Sequence, residues 1–201
     1  MAILASSGCF AKKWVASYCA VKNDWQLQAL IWINTTYSYL GYLMQPLFNT
    51  LEPQVLFQEV PDEVSLGFTI TGCKLRCEGC HSEEIWDGNL GVSLTNEAFA
   101  AYLKKYEGFI TCVLFFGGEW YAEALIEKLR IARQSQLKTC LYTGLPRVSS
   151  KIQEQLSFLK TGKWIFSLGG LDSPSTNQKL IDVNTGDLLN HKFWENQCAN
   201  P

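Results

Sequence analysis

"SLGFTITGCKLRCEGCHSEEIW" occupies residues 65–86. It opens as a short β-type run and passes at once into a loop that holds Cys73, Cys77 and Cys80, with His81 directly behind them. A strand ending in a thiol-rich loop admits three chemistries: a disulfide knot, a zinc site, or an iron–sulfur cluster with one iron free of protein thiolate. The surrounding sequence decides which fold carries the loop.

Upstream, "VLFQEV" (55–60) is a second β-type run, separated from the first by the turn signal Pro61-Asp62-Glu63. Downstream, Thr95 is placed to cap a helix over 96–106, with Phe99, Leu103 and Tyr106 on one face. "ITCVLFF" (110–116) is a continuous apolar run, as expected of a strand covered on both faces. Helical spacing returns at Ala122, Leu125, Ile126, Leu129 and Ala132. "KTCLYT" (138–143) reads as the next strand, ended by Gly144 and Pro146, and Ile152, Gln155, Leu156 and Leu159 suggest another helix. "KWIFSL" and "KLIDV" are expected to be late strands, the second running into the turn Asn184-Thr185-Gly186. Strand and helix alternating at this spacing predict βαβ units, hence an α/β fold with a mostly parallel sheet. Ligands of such sheets gather at the carboxyl ends of the strands. Two unusual loops sit there: the cysteine loop, and "GGEW" (117–120) after "ITCVLFF".

The chain has 201 residues, 47% of them hydrophobic, and a mean hydropathy of −0.01, which suits a globular domain. A formal net charge of −2 offers no basic face, so binding nucleic acid through its phosphates is disfavoured. Eight cysteines in a chain this long, with no signal-peptide pattern, point to reduced thiols in a cytoplasm and weaken the disulfide reading. For zinc, a second C-x2-C hook is missing, and His81 adjoins Cys80 too closely to share one tetrahedral ion easily. Cys112 and Cys140 lie inside apolar strands and read as small buried core residues. A [4Fe–4S] cluster held by three cysteines keeps one iron open to a substrate, and that alternative stands beside zinc.

C-x3-C-x2-C after the first long strand resembles the signature of the radical S-adenosylmethionine superfamily. Gly117-Gly118-Glu119 one βα unit later resembles that superfamily's GGE motif. The resemblance extends through "VLFQEVPDEVSLGFTITGCKLRCEGCHS", "FFGGEWYAEALIEKLR", "KTCLYTG" and "LKTGKWIFSLGGLDSPSTNQKLIDVNTGDLLNHKF". Together these look like the activating proteins of anaerobic ribonucleoside-triphosphate reductase, over about Pro53 to Phe193. It implies a partial, open βα barrel of the radical S-adenosylmethionine type with a mostly parallel sheet. It also implies a [4Fe–4S] cluster on Cys73, Cys77 and Cys80, and S-adenosylmethionine chelated to the open iron. Gly117, Gly118 and Glu119 would contact the cofactor. Thr143 and the stretch Ser175-Thr176-Asn177-Gln178 would lie near the cofactor or the incoming glycine loop; the bland reading of "STNQ" is a polar turn. The implied activity is generation of a glycyl radical on the large subunit of the reductase, with a flavodoxin-like electron donor. Rival readings are the activase of another glycyl-radical enzyme, a small-molecule radical enzyme, an iron–sulfur electron carrier, or a zinc-binding module.

Residues 1–52 are expected to be an N-terminal extension, residues 53–193 the activase domain, and residues 194–201, with Cys198, a tail. Trp25 to Leu51 carries no charged side chain, but Asn34, Thr35, Thr36 and Ser38 interrupt it, and it is not read as a membrane span. Two accounts of the segment compete: translation upstream of a true start at Met44, or an accessory helix around 25–43 docked on the domain.

Overall fold

The computed structural model describes residues 47–195. Among them are eight strands: β1 Asn49–Thr50, β2 Gln54–Leu56, β3 Ser65–Thr69, β4 Val92–Ser93, β5 Cys112–Phe116, β6 Lys138–Tyr142, β7 Phe158–Thr161 and β8 Lys179–Asp182. The α-helices are α1 Asn96–Lys105, α2 Ala122–Gln134, α3 Ser150–Gln153 and α4 Lys192–Glu195. The main sheet has the order β2-β3-β5-β6-β7-β8, while β1 and β4 pair in a separate ribbon. The four inner strands β3, β5, β6 and β7 are parallel. Antiparallel β2 and β8 form the two edges, and they do not pair with each other. The protein is therefore an α/β fold with a mixed, mostly parallel, unclosed sheet.

Alternation along the strands sorts the core. Val113 and Phe115 on β5, Leu66 and Phe68 on β3, and Leu141 on β6 pack with α1 and α2 residues Phe99, Leu125 and Leu129. The opposite parity, Cys112, Leu114 and Cys140, joins Val60, Phe158, Leu171 and Leu180 on the other side, with Phe116 and Tyr142 against them. An apolar run buried on both faces therefore divides its side chains between two clusters. Helix α1 starts where Thr95 predicts, its hydroxyl accepting the Ala98 N–H at 3.1 Å, and ends with Lys104 and Lys105 complementing the helix dipole.

Three expectations need correction. Of "VLFQEV" only Val55 and Leu56 are strand, in β2, and its remainder bends into the turn at Pro61. The helix expected through Leu159 is the single turn Ser150–Gln153. Ile152, Leu156 and Leu159 do share the core, but Leu156 reaches it from a turn and Leu159 from β7. "KWIFSL" is a turn-containing loop, because β7 is the preceding "FLKT" and Gly162 ends it. Phe48 and Thr50, close to the start of the described residues, are buried. The rest of the N-terminal stretch, with Met44 and the helix expected around 25–43, and the expected tail from residue 196 on, with Cys198, lie outside the described residues, while the tail's first two residues end α4. No helix among the described residues is long and apolar enough to cross a membrane.

Lys128 on α2 is 0% exposed, and its Nζ donates to Asn96 Oδ1 at 2.6 Å. Burial lowers its pKa to about 8, against an opposing pull from Glu127 and Glu97. The folded state thus carries a penalty for the charged form that is full below pH 8 and disappears as the pH rises to the unfolded value of 10.5. The Tm of Lys128→Met minus that of the parent is therefore expected to be most positive below pH 8 and to fall towards pH 10.5. Calorimetry across that range checks it; a difference that does not vary with pH would refute the burial penalty.

Candidate functional site

The cysteine loop leaves the end of β3 and is tied at its base. Gly72 N–H and Cys73 N–H both donate to the Ile85 carbonyl, at 2.7 and 3.2 Å. A short 3-10 turn, Glu83–Trp86, supplies that carbonyl and closes the loop. Within it, Cys80 N–H donates to the Cys77 carbonyl at 3.2 Å, and the Arg76 guanidinium lies 5.5 Å from the Trp86 ring centroid. His81 packs its ring against Trp164, with centroids 4.6 Å apart. Cys73, Cys77 and Cys80 are free thiols, each partly exposed. Burial raises the Cys73 thiol pKa, and the Leu75 backbone N–H partly offsets it.

At the end of β5 the chain turns sharply. Gly117 and Gly118 adopt φ of 80° and 104°, and Glu119 opens the turn that leads into α2. The reason is visible at Gly117: an added Cβ would stand 2.4 Å from the Trp120 ring. Trp120 in turn donates its Nε1–H to the Thr71 carbonyl at 3.2 Å, so the last residue of "GGEW" ties this turn to the entrance of the cysteine loop.

Both loops open onto one cavity of about 540 Å³ at the carboxyl ends of the parallel strands. Cys73, Cys77, Cys80, Gly117, Glu119 and Thr143 stand on its wall. Gly118 does not, having Ile70 behind it, and Asn177 does not, its Nδ2 donating to the Lys163 carbonyl at 3.0 Å. The neighbouring Gln178 takes the wall position in the "STNQ" segment. Thr176 bonds the Gly169 carbonyl and Ser175 lies 3.0 Å from Ser173, so that segment is also a hydrogen-bonded polar turn before β8.

Two wall residues were not legible as such in the sequence. Lys160 on β7 is nearly buried, donates to the Gly162 carbonyl at 3.0 Å, and has its pKa lowered to about 8 by burial, with Cys77 pulling the other way. A lysine closing the apolar run "LSFLK" two residues before Gly162 was the available signal. Trp164 presents a buried indole N–H without a hydrogen-bond partner. Glu119 faces the same cavity: burial raises its pKa, while the Thr143 hydroxyl and its own backbone N–H oppose the rise. Its Oε2 is buried with no donor.

No three His, Cys, Asp or Glu side chains among the described residues converge tightly enough to hold a metal ion. The three thiols share a wall rather than one coordination sphere. In a [4Fe–4S] cube each thiolate binds a different iron, so three sulfurs need only surround the cluster, not meet at a point. Free, partly exposed thiols on one tied loop, beside a cavity of this size, fit such a group.

No curated protein is similar to the chain. A family model, the 4Fe-4S single cluster domain, matches residues 64–168, from the start of β3 through the cysteine loop and the Gly-Gly-Glu turn to the loop after β7. That match takes in just over half of the 201 residues, so the chain belongs to the 4Fe-4S single cluster domain family.

Proposed function

We propose that the protein is a radical S-adenosylmethionine activase that generates the glycyl radical of anaerobic ribonucleoside-triphosphate reductase. One observation carries the reading. The C-x3-C-x2-C thiols and the Gly-Gly-Glu carboxylate, whose Oε2 lacks a donor, line one cavity at the strand ends. When bound, the [4Fe–4S] cluster and S-adenosylmethionine supply one chemistry: an electron from a flavodoxin-like donor breaks a carbon–sulfur bond, and the adenosyl fragment takes a hydrogen atom from a glycine of the reductase.

The chain's own residues bind and orient. Cys73, Cys77 and Cys80 hold the cluster and leave one iron for the ligand. Glu119 accepts a hydrogen bond from the ligand's ammonium group, and Lys160 offers a cation to its carboxylate. Leu75, Ile85, Phe116 and Trp120 give the cavity apolar walls that keep water from the reacting groups. The unclosed sheet supports a macromolecular partner in this reading, one whose glycine loop would enter at the strand ends. A radical enzyme acting on a small molecule would need a pocket closed within its own chain. The proposed setting is a reducing cytoplasm.

Anaerobic incubation with reductant, S-adenosylmethionine and the cognate reductase is expected to produce a glycyl radical signal in electron paramagnetic resonance. A reduced cluster whose spectrum ignores S-adenosylmethionine would overturn the proposal in favour of an electron carrier. Tightly bound zinc and no iron would favour a zinc module.

Glu119→Ala should leave cluster content unchanged and weaken S-adenosylmethionine binding. A charge-assisted hydrogen bond contributes about 1.5–3 kcal/mol, which corresponds to roughly a ten- to hundredfold rise in Kd. Equal affinity in parent and variant would remove Glu119 from the ligand's contacts.

A further inference from the structure

We infer that Thr143 is a positioning residue for Glu119: its hydroxyl fixes Oε1, leaving Oε2 as the oxygen that receives a cationic ligand. The inference rests on the proposed function for the identity of that ligand, and on geometry for the rest. A threonine hydroxyl has one hydrogen to donate and two lone pairs to accept with. In Thr143 the hydrogen goes to Glu119 Oε1 at 2.6 Å, the short range of a charge-assisted bond, and one lone pair takes the Leu145 N–H at 3.0 Å. The residue is 3% exposed. Its only donor is thus committed inside the protein, so a ligand gains no hydrogen from it. Thr143 also stands on the cavity wall, so this indirect role comes beside the cofactor contact that the resemblance implies for it.

The anchor is rigid. Thr143 N–H donates to the Lys160 carbonyl at 2.9 Å on the β7 side, and the preceding Tyr142 carbonyl accepts from Gly117 N–H at 2.8 Å on the β5 side. The hydroxyl is therefore held between the two strands that present Lys160 and Glu119. A β-branched side chain has a restricted χ1, which suits Thr for the task. Glu119, by contrast, is long and would otherwise choose among many rotamers. Fixing it before the ligand arrives removes that ordering cost from binding. Oε1 engaged and Oε2 without a donor is the arrangement such a device leaves behind.

The test is a double-mutant cycle on the cluster-loaded protein, with S-adenosylmethionine as the probe. Thr143→Val removes the donor at nearly constant volume and is expected to raise Kd roughly three- to tenfold, the ordering cost of one flexible side chain. Thr143→Ser restores the donor and should return the parent value. In a Glu119→Ala background, where no side-chain acceptor remains for the Thr143 hydroxyl, Thr143→Val should add less than about twofold, because a residue acting only through Glu119 has nothing left to act on. The same loss in both backgrounds would show that Thr143 works independently of Glu119 and would overturn the inference. A Thr143→Val protein that binds like the parent would also do so. A ligand-free readout separates this inference from the functional reading. The infrared carboxylate band of Glu119, obtained by subtracting the Glu119→Gln spectrum, should shift in Thr143→Val and not in Thr143→Ser. If the parent fails to bind S-adenosylmethionine, the proposed function falls, and this band alone decides the role of Thr143. An unshifted band in Thr143→Val overturns it.

Discussion

Alanine at Cys73, Cys77 or Cys80 is expected to abolish the intact cluster, with iron and sulfide lost together and no turnover of S-adenosylmethionine. A methyl group cannot replace a thiolate ligand, and a site with only three protein ligands has none in reserve. The same substitution at Cys112 or Cys140 should leave the cluster in place and cost only stability, about 0.5–3 kcal/mol as for other small core changes. The contrast follows from burial. Cys112 and Cys140 are 0% exposed on adjacent strands; burial pushes the Cys112 thiol up to about 12 and raises Cys140 well above its ordinary value. Neither lines the cavity on whose wall Cys73, Cys77 and Cys80 stand, so neither thiol is placed to reach a cluster bound there. Iron and sulfide analysis of the five anaerobically purified variants decides the matter. Loss of the cluster in Cys112→Ala would falsify the three-ligand assignment.

Phe115→Ala should destabilise the fold by about 3–5 kcal/mol, the range for deleting a buried aromatic ring. Phe115 is fully buried at the centre of the sheet. Its ring lies 5.6 Å from that of Phe68, 5.9 Å from Phe99 and 6.3 Å from Phe48, centroid to centroid. It therefore joins β3, β5, α1 and the segment just before β1. A cavity there cannot be filled by one neighbour, since each is fixed by a different element. For a chain of this size the loss corresponds to a fall in Tm on the order of 10 °C. Thermal or denaturant unfolding measures it. A loss below about 1 kcal/mol would mean that the core collapses around the gap. The effect should be on folding first, since Phe115 lies outside the cavity wall.

What the sequence disclosed and what it hid divide along one physical line. The cysteine loop, the Gly-Gly-Glu turn, the Thr95 cap and the alternation of β3, β5 and β6 are local patterns, and each was legible because a few adjacent residues determine it. Strand β7 was not, because Ile152, Leu156 and Leu159 fall at helical spacing while reaching the core from three different structures. Misplacing β7 also concealed Lys160, whose position on the cavity wall depends on where that strand ends. The Thr143–Glu119 and Trp120–Thr71 bonds join residues 24 and 49 positions apart. Only the order of strands in the sheet brings such pairs together, and no local pattern encodes it. Asn177 and Gln178 differ for the same reason: the turn before β8 decides which of two adjacent amides reaches the cavity.

The cysteine loop forms part of the crossover that joins β3 to β5, and this sets an order of events during synthesis. Val64, at the entrance to β3, is hydrogen-bonded to Thr111, 47 residues further along the chain. Until that long loop closes, its entropy keeps the two strands apart and nothing fixes the thiols over the cavity. Trp120 and Glu119, which complete the cavity wall, emerge from the ribosome later than all three cysteines. The nascent thiols are thus exposed to metals and oxidants before the scaffold that selects a cluster exists. On the proposed function, cluster binding is then an event of the folded chain rather than of the nascent one.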